Sequence, residues 1–201
     1  MRPKGRETMT AQEFWDRFQK EICGNPELCF LWNDATAFTA RMLEKLEKVI
    51  SEKDCKTERE YFRIDLISYR SRLQPQPSAT VGEDCLIGGL KRYSWDLLTA
   101  VEHENDHRLW MDEVVKLAHV ASPLRVVIGY IPLSMKEMHE AYLTKVAEAL
   151  EGIEAWRCTK DYGEFLIIIG DCKLSRDDED GRCVYTPYVF QDGRFTRLNC
   201  L

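Results

Sequence analysis

The stretch Ala100-Val101-Glu102-His103-Glu104-Asn105-Asp106-His107 decides the fold, because it admits two backbones that cannot coexist. Extended, its side chains alternate, so Glu102 and Glu104 share one face and His103 takes the other. Two carboxylates side by side at a strand end suit a divalent cation. Coiled, His103 and His107 fall on one helix face with Glu104 beside them, the H-E-x-x-H pattern that suits zinc. The extended reading is the stronger one. Trp110 onward already makes a good helix, and Asn105-Asp106 offers it a natural cap. Asp106 and Arg108 also bring charge where the zinc pattern keeps uncharged residues.

The flanking segments fit that strand into an alternating series. Residues 61–69 alternate, with Phe62, Ile64 and Leu66 on one side and Arg63, Asp65 and Ile67 on the other, which predicts a strand with one apolar face. A strand over 93–104 would put Glu102 and Glu104 on one face and Trp95, Leu97 and Val101 on the other. A helix over 109–121 follows, its buried side formed by Trp110, Met111, Val114, Val115 and Ala118. Residues 124–131 are almost all apolar and β-branched, as in a strand covered on both faces. A helix over 135–150, a buried strand over 165–169 and a hairpin about Asp192-Gly193 complete the carboxyl-terminal part. At the other end, Thr10 and Glu13 fit a capping box ahead of Phe14, Phe18 and Ile22. A second helix starts near Asn33-Asp34 and carries Phe38, Met42, Leu46 and Val49 on one stripe. The series implies a single α/β domain over 1–201, a mixed β-sheet flanked by helices. Within it lie amino-terminal helices (1–55), a central core (56–135) with a mobile loop at 73–90, and a helix plus closing strands (136–201).

Bulk properties narrow the function. The 201 residues are 44% hydrophobic and 31% charged, ordinary for a soluble globular chain. Lys and Arg number 28 against 34 Asp and Glu, a net charge of -6, so nucleic-acid binding would need a local basic patch. No apolar run approaches the roughly 18 residues of a membrane span, and residues 1–10 lack a signal-peptide core. No membrane association and a cytoplasmic location are the expectation. The eight cysteines form no C-x-x-C pair, which favours free thiols buried as small hydrophobes over a metal cluster or disulfides.

If the two acidic strands are neighbours, Asp65, Glu102 and Glu104 converge at one sheet edge. Such a cluster repels itself and raises its own pKa values unless a hard cation joins it. Mg²⁺ (or Mn²⁺) fits, since it takes one or two carboxylates and completes its shell with water and phosphate. Arg63, Arg70, Arg72, Lys91 and Arg92 form the nearby basic concentration and are the candidates for steering a nucleic-acid backbone. At about 100° per residue, Lys116 points nearly opposite the apolar stripe, where Asp112 would pair with it. Glu113, on the flank of that stripe, is better aimed at a cleft beside the sheet. Both are candidate catalytic contributors. Glu13, Glu44 and Glu47 are conceivable helical contributors, although capping or surface pairing accounts for them.

The run Arg63-Ile64-Asp65-Leu66, then Ala100-Val101-Glu102-His103-Glu104, then a helix and an apolar strand, resembles the PD-(D/E)XK nuclease superfamily over residues 59–130. The resemblance implies a restriction-endonuclease-like α/β core, Mg²⁺-dependent phosphodiester cleavage of DNA or RNA, and a possible homodimer. Asp65 matches the motif aspartate and Glu102 the acidic residue of (D/E)-x-K, while Glu104 stands where the lysine usually sits. Some restriction endonucleases of the superfamily are similar in having E-x-E there. Two alternatives stay open: an inactive nuclease-fold binding or assembly module, and a zinc metallopeptidase using His103-Glu104-x-x-His107 with Glu137 or Glu140 as a third ligand.

Overall fold

The computed structural model describes residues 8–31, 34–71, 95–132, 137–172 and 184–198. Helix α1 (Ala11–Glu21) begins at a complete capping box, Thr10 and Glu13 each accepting the other's backbone N–H. A short α2 (Pro26–Leu31) precedes α3 (Ala35–Ile50), whose N-cap Asp34 accepts the Ala37 N–H. Among the described residues seven strands follow: β1 (Lys56–Tyr61), β2 (Ile64–Ser71), β3 (Trp95–His103), β4 (Leu124–Pro132), β5 (Glu164–Cys172), β6 (Val184–Gln191) and β7 (Arg194–Arg197). They form one sheet in sequence order. β3, β4 and β5 run parallel to one another, and every other pairing is antiparallel.

Parallel neighbours need a crossover, and here helices supply both. Helix α4 (Trp110–Ala118) joins β3 to β4, while α5 (His139–Gly152) and α6 (Glu154–Thr159) join β4 to β5. All three cover one face, where Trp110, Val114, Leu143, Val146 and Trp156 pack on Ala100, Val127 and Ile167. Helices α1 to α3 cover the other face, with Phe14, Phe18, Phe38, Met42 and Leu46 on Leu66, Val101, Val126 and Ile128. The mixed sheet with helices on both faces is the α/β class expected. Among the described residues, no helix is long and apolar enough to cross a membrane.

Several elements depart from the sequence expectation. The single strand over 61–69 is instead the second arm of a hairpin, turning at Phe62-Arg63, which leaves Phe62 75% exposed. Leu98 is an extra residue in β3, because the register jumps from Ser68 opposite Thr99 to Tyr69 opposite Leu97. That bulge reverses the parity behind it, so Trp95 and Leu97 pack on the same face as Ala100 rather than opposite Glu102. Helix α4 starts at Leu109 with no side-chain cap, since Asp106 spends its carboxylate on the Arg108 N–H and guanidinium. Val115 is 40% exposed, not buried. Cys23, Cys55 and Cys158 are free thiols, as expected; Cys23 is half-buried and packs against the core, whereas Cys55 is half-buried beside the Arg70 guanidinium and Cys158 is exposed. The expected loop at 73–90 lies outside the described residues.

One long-range contact fastens α1 to the sheet. Glu164, at the start of β5, accepts the Ala11 N–H at 2.7 Å. The carboxylate satisfies an N–H that the first helical turn leaves unpaired and faces the positive end of the helix dipole. Glu164→Ala should lower stability by about 1 kcal/mol, a melting-temperature drop of about 2–4 °C. An unchanged thermal denaturation curve would show that the contact contributes nothing.

Candidate active site

β2 and β3 pair antiparallel with Leu66 opposite Val101. Continuing that register brings Asp65 opposite Glu102. The Asp65 N–H donates to Glu102 Oε2 at 3.4 Å, and the N–H of the next residue, His103, donates to Asp65 Oδ2 at 2.8 Å. Leu66 and Val101 point into the α1–α3 layer, and by alternation Asp65 and Glu102 face the α4 side. Glu102 is 1% exposed.

Lys116 reaches this pair from α4. Its Nζ lies 2.8 Å from Glu102 Oε1, forms a salt bridge with Glu113, and donates to the Arg63 carbonyl at 2.9 Å. The expected surface pair with Asp112 is therefore not what Lys116 makes. A lysine ammonium rides on a flexible four-carbon stem, so it can bend back across a helix flank that its Cα faces away from. Glu113, one turn earlier, lies on the flank foreseen for it and shares the ammonium.

The electrostatics follow from burial. Desolvation pushes Glu102 up to about 8, with Asp65 and Glu113 adding to the rise and the Lys116 hydrogen bond opposing it. Burial also raises Asp65, against the pull of the His103 N–H and of Lys116. Desolvation works against the charge on Lys116, but its bonds to Glu102 and Glu113 outweigh it and lift its pKa. Two hard-pressed acids thus sit beside a firmly charged cation.

Glu104 does not join them. β3 ends at His103, and the Glu104 side chain folds over to accept the Asp106 N–H at 2.7 Å. Among the described residues no group of three or more His, Cys, Asp or Glu side chains is arranged to hold a metal ion, so the expected convergence of Asp65, Glu102 and Glu104 is not formed. The helical zinc geometry is absent too. His103 closes a strand, its ring is buried on the opposite face against Phe38, and its Nε2 lies 2.9 Å from the Tyr130 hydroxyl. Burial depresses its pKa to about 3, so it is neutral. His107 is an exposed turn residue.

The basic candidates separate. Arg63 sits on the exposed hairpin turn beside the acids. Arg70 lies about 16 Å along β2 from Asp65, level with Asp96, and its guanidinium touches Cys55. It is therefore away from the site. Arg72, Lys91 and Arg92 fall outside the described residues. Glu13 is consumed by its cap, Glu44 by Arg41 and Glu47 by Arg59.

The hairpin turn is what sequence reasoning missed. Phe62 and Arg63 both hold left-handed backbone, with φ of 48° and 64°. That matches the two-residue turn that fits the twist of paired strands, normally given to Asn and Gly. Neither residue here advertises it. For L side chains this conformation costs about 1–2 kcal/mol per residue.

Family models, curated proteins and solved structures were all compared with this chain, and none matches it.

Proposed function

We propose that this chain is a metal-dependent phosphodiesterase acting on nucleic acid, with a restriction-endonuclease-like core and a PD-(D/E)XK-like site. The observation that carries the reading is the approach of Lys116 from a neighbouring helix to Glu102, next to Asp65 on the adjoining strand. The missing feature of the E-x-E motif was a lysine, and an ammonium stands beside the second acid by another route. The element order supports it as well: Asp65 and Glu102 lie on adjacent antiparallel strands, followed by a helix and an apolar parallel strand.

The donor set suits Mg²⁺ or Mn²⁺. Asp65 and Glu102 would hold it as a two-carboxylate site, since a hard cation needs only one or two carboxylates when water and phosphate complete its shell. Once bound it supplies Lewis-acid charge at the scissile phosphate. Lys116 keeps its charge, and one of the three N–H groups it now gives to Glu102, Glu113 and the Arg63 carbonyl would turn to a phosphate oxygen as negative charge develops there. The Arg63 guanidinium, at the rim, attracts the backbone.

Short labelled DNA and RNA, single-stranded and duplex, should be cleaved by the wild type in Mg²⁺ or Mn²⁺ and left intact by Glu102→Ala. Equal cleavage by both proteins, or none by the wild type, overturns the reading. The second reading, a binding module without catalysis, draws on the lack of a three-acid metal group among the described residues. It predicts no metal uptake in a calorimetric titration.

A further inference from the structure

The Phe62-Arg63 turn combines two costs that stability alone does not explain, two left-handed non-glycine residues and a large apolar ring in water, with a tether from the Arg63 carbonyl to Lys116 of the site. The ring does not close a core. It meets Tyr61 edge-on at 4.6 Å, and Tyr61 and Tyr69 each lie 5.0 Å from Trp95, so Phe62 is the exposed end of an aromatic row along the sheet. Strained backbone concentrates where a side chain must be aimed.

From this arrangement we propose that Phe62 is a stacking platform for an unpaired nucleobase, with Arg63 on the adjoining phosphate, so that the site takes single-stranded nucleic acid or a strand opened at the point of cleavage. The inference rests on the nuclease reading. A nucleobase matches the surface because it offers a flat π face to the ring and a phosphate to the neighbouring guanidinium, and stacking of this kind tolerates any base sequence. Inside a duplex both faces of every base short of the ends are already stacked, so the ring finds only the terminal pairs to engage.

Binding is read by fluorescence anisotropy in EDTA, where no cleavage depletes the probe, with fluorescein-labelled oligothymidylate, oligouridylate and a blunt duplex of equal length. The wild type should prefer the single strands. Phe62→Ala should weaken them by about tenfold while changing duplex binding little, and Phe62→Trp should retain them. Phe62→Asn suits the left-handed turn, so it should melt no lower than wild type and still lose single-strand binding, which separates recognition from folding. Unchanged binding in Phe62→Ala and Phe62→Asn, equal losses for single strand and duplex, or no single-strand preference in the wild type would overturn the proposal. Cleavage that needs Glu102 but ignores Phe62 would remove the stacking role alone. A Phe62-dependent preference without cleavage would remove the nuclease reading instead.

Discussion

Glu102→Gln is expected to abolish cleavage, by about 10³-fold or more, and at the same time to raise the melting temperature of the metal-free protein. The two effects share one cause. A carboxylate buried beside Asp65 and Glu113 is held up to about 8, against an ordinary 4.5. The folded state therefore binds the Glu102 proton more tightly than the unfolded state does. Stability from this residue is fully present below about 4.5 and is lost as pH rises through about 8. Glutamine keeps the shape of the protonated acid and cannot ionise, so it escapes that loss. In EDTA the variant should melt close to wild type near pH 5 and about 4–8 °C above it near pH 8. A constant difference across that range would mean that Glu102 titrates normally, and the site would lose its electrostatic basis. Conserved stability with unchanged cleavage would remove Glu102 from the chemistry.

Such a penalty is tolerable only where the residue does something else. Among the described residues the other fully buried charged side chain on this face is Arg125, whose guanidinium lies over the Trp156 and Phe165 rings, and an isoleucine or leucine at position 102 would pack with Ala100 and Val114 at no electrostatic cost. The same logic applies to the Phe62-Arg63 turn, where Asn-Gly would relieve the backbone. Two local violations of good folding chemistry meet within one hydrogen-bond chain, from the Arg63 carbonyl through Lys116 to Glu102. Local rules fail most often at functional sites.

The same violations explain what was and was not legible in the sequence. The extended backbone through Glu102 was readable because alternation separates His103 from its neighbours, and the structure buries that imidazole against Tyr130 on the far face. The sheet class followed from strand and helix periods, and the Asp192-Gly193 hairpin from turn chemistry, with both residues at positive φ. The first hairpin was illegible because its turn carries neither glycine nor asparagine. Parity failed behind Glu102 because one unpaired leucine shifts every side chain before it to the other face. Glu104 was misplaced because alternation holds only while the strand lasts, and β3 stops one residue earlier. Lys116 was undervalued because a helical wheel locates a Cα, whereas the ammonium sits several bonds away at the end of a flexible stem.

That reach yields the second large effect. Lys116→Met keeps most of the stem and removes the charge, so cleavage should fall by about 10²–10³-fold with substrate binding largely kept. Stability should fall too, because Glu102 and Glu113 both lose their cation. Breaking a buried pair by removing one partner costs about 3–5 kcal/mol, but Glu102 can escape part of that by holding its proton, so a loss of about 2 kcal/mol is expected. The escape makes the effect dependent on the partner. In a Glu102→Gln background no buried charge is stranded at position 102, and the same Lys116→Met change should cost about 1–2 kcal/mol less. A double-mutant cycle by urea denaturation near pH 9, above the value of about 8 to which Glu102 is raised, measures that coupling directly. If the two changes add within about 0.5 kcal/mol, Lys116 and Glu102 do not interact in solution, and the lysine that completes the proposed site is only a surface residue. If they couple and cleavage nonetheless survives Lys116→Met, the ammonium serves to keep a buried carboxylate soluble in the fold, and the chemistry must draw its positive charge from elsewhere.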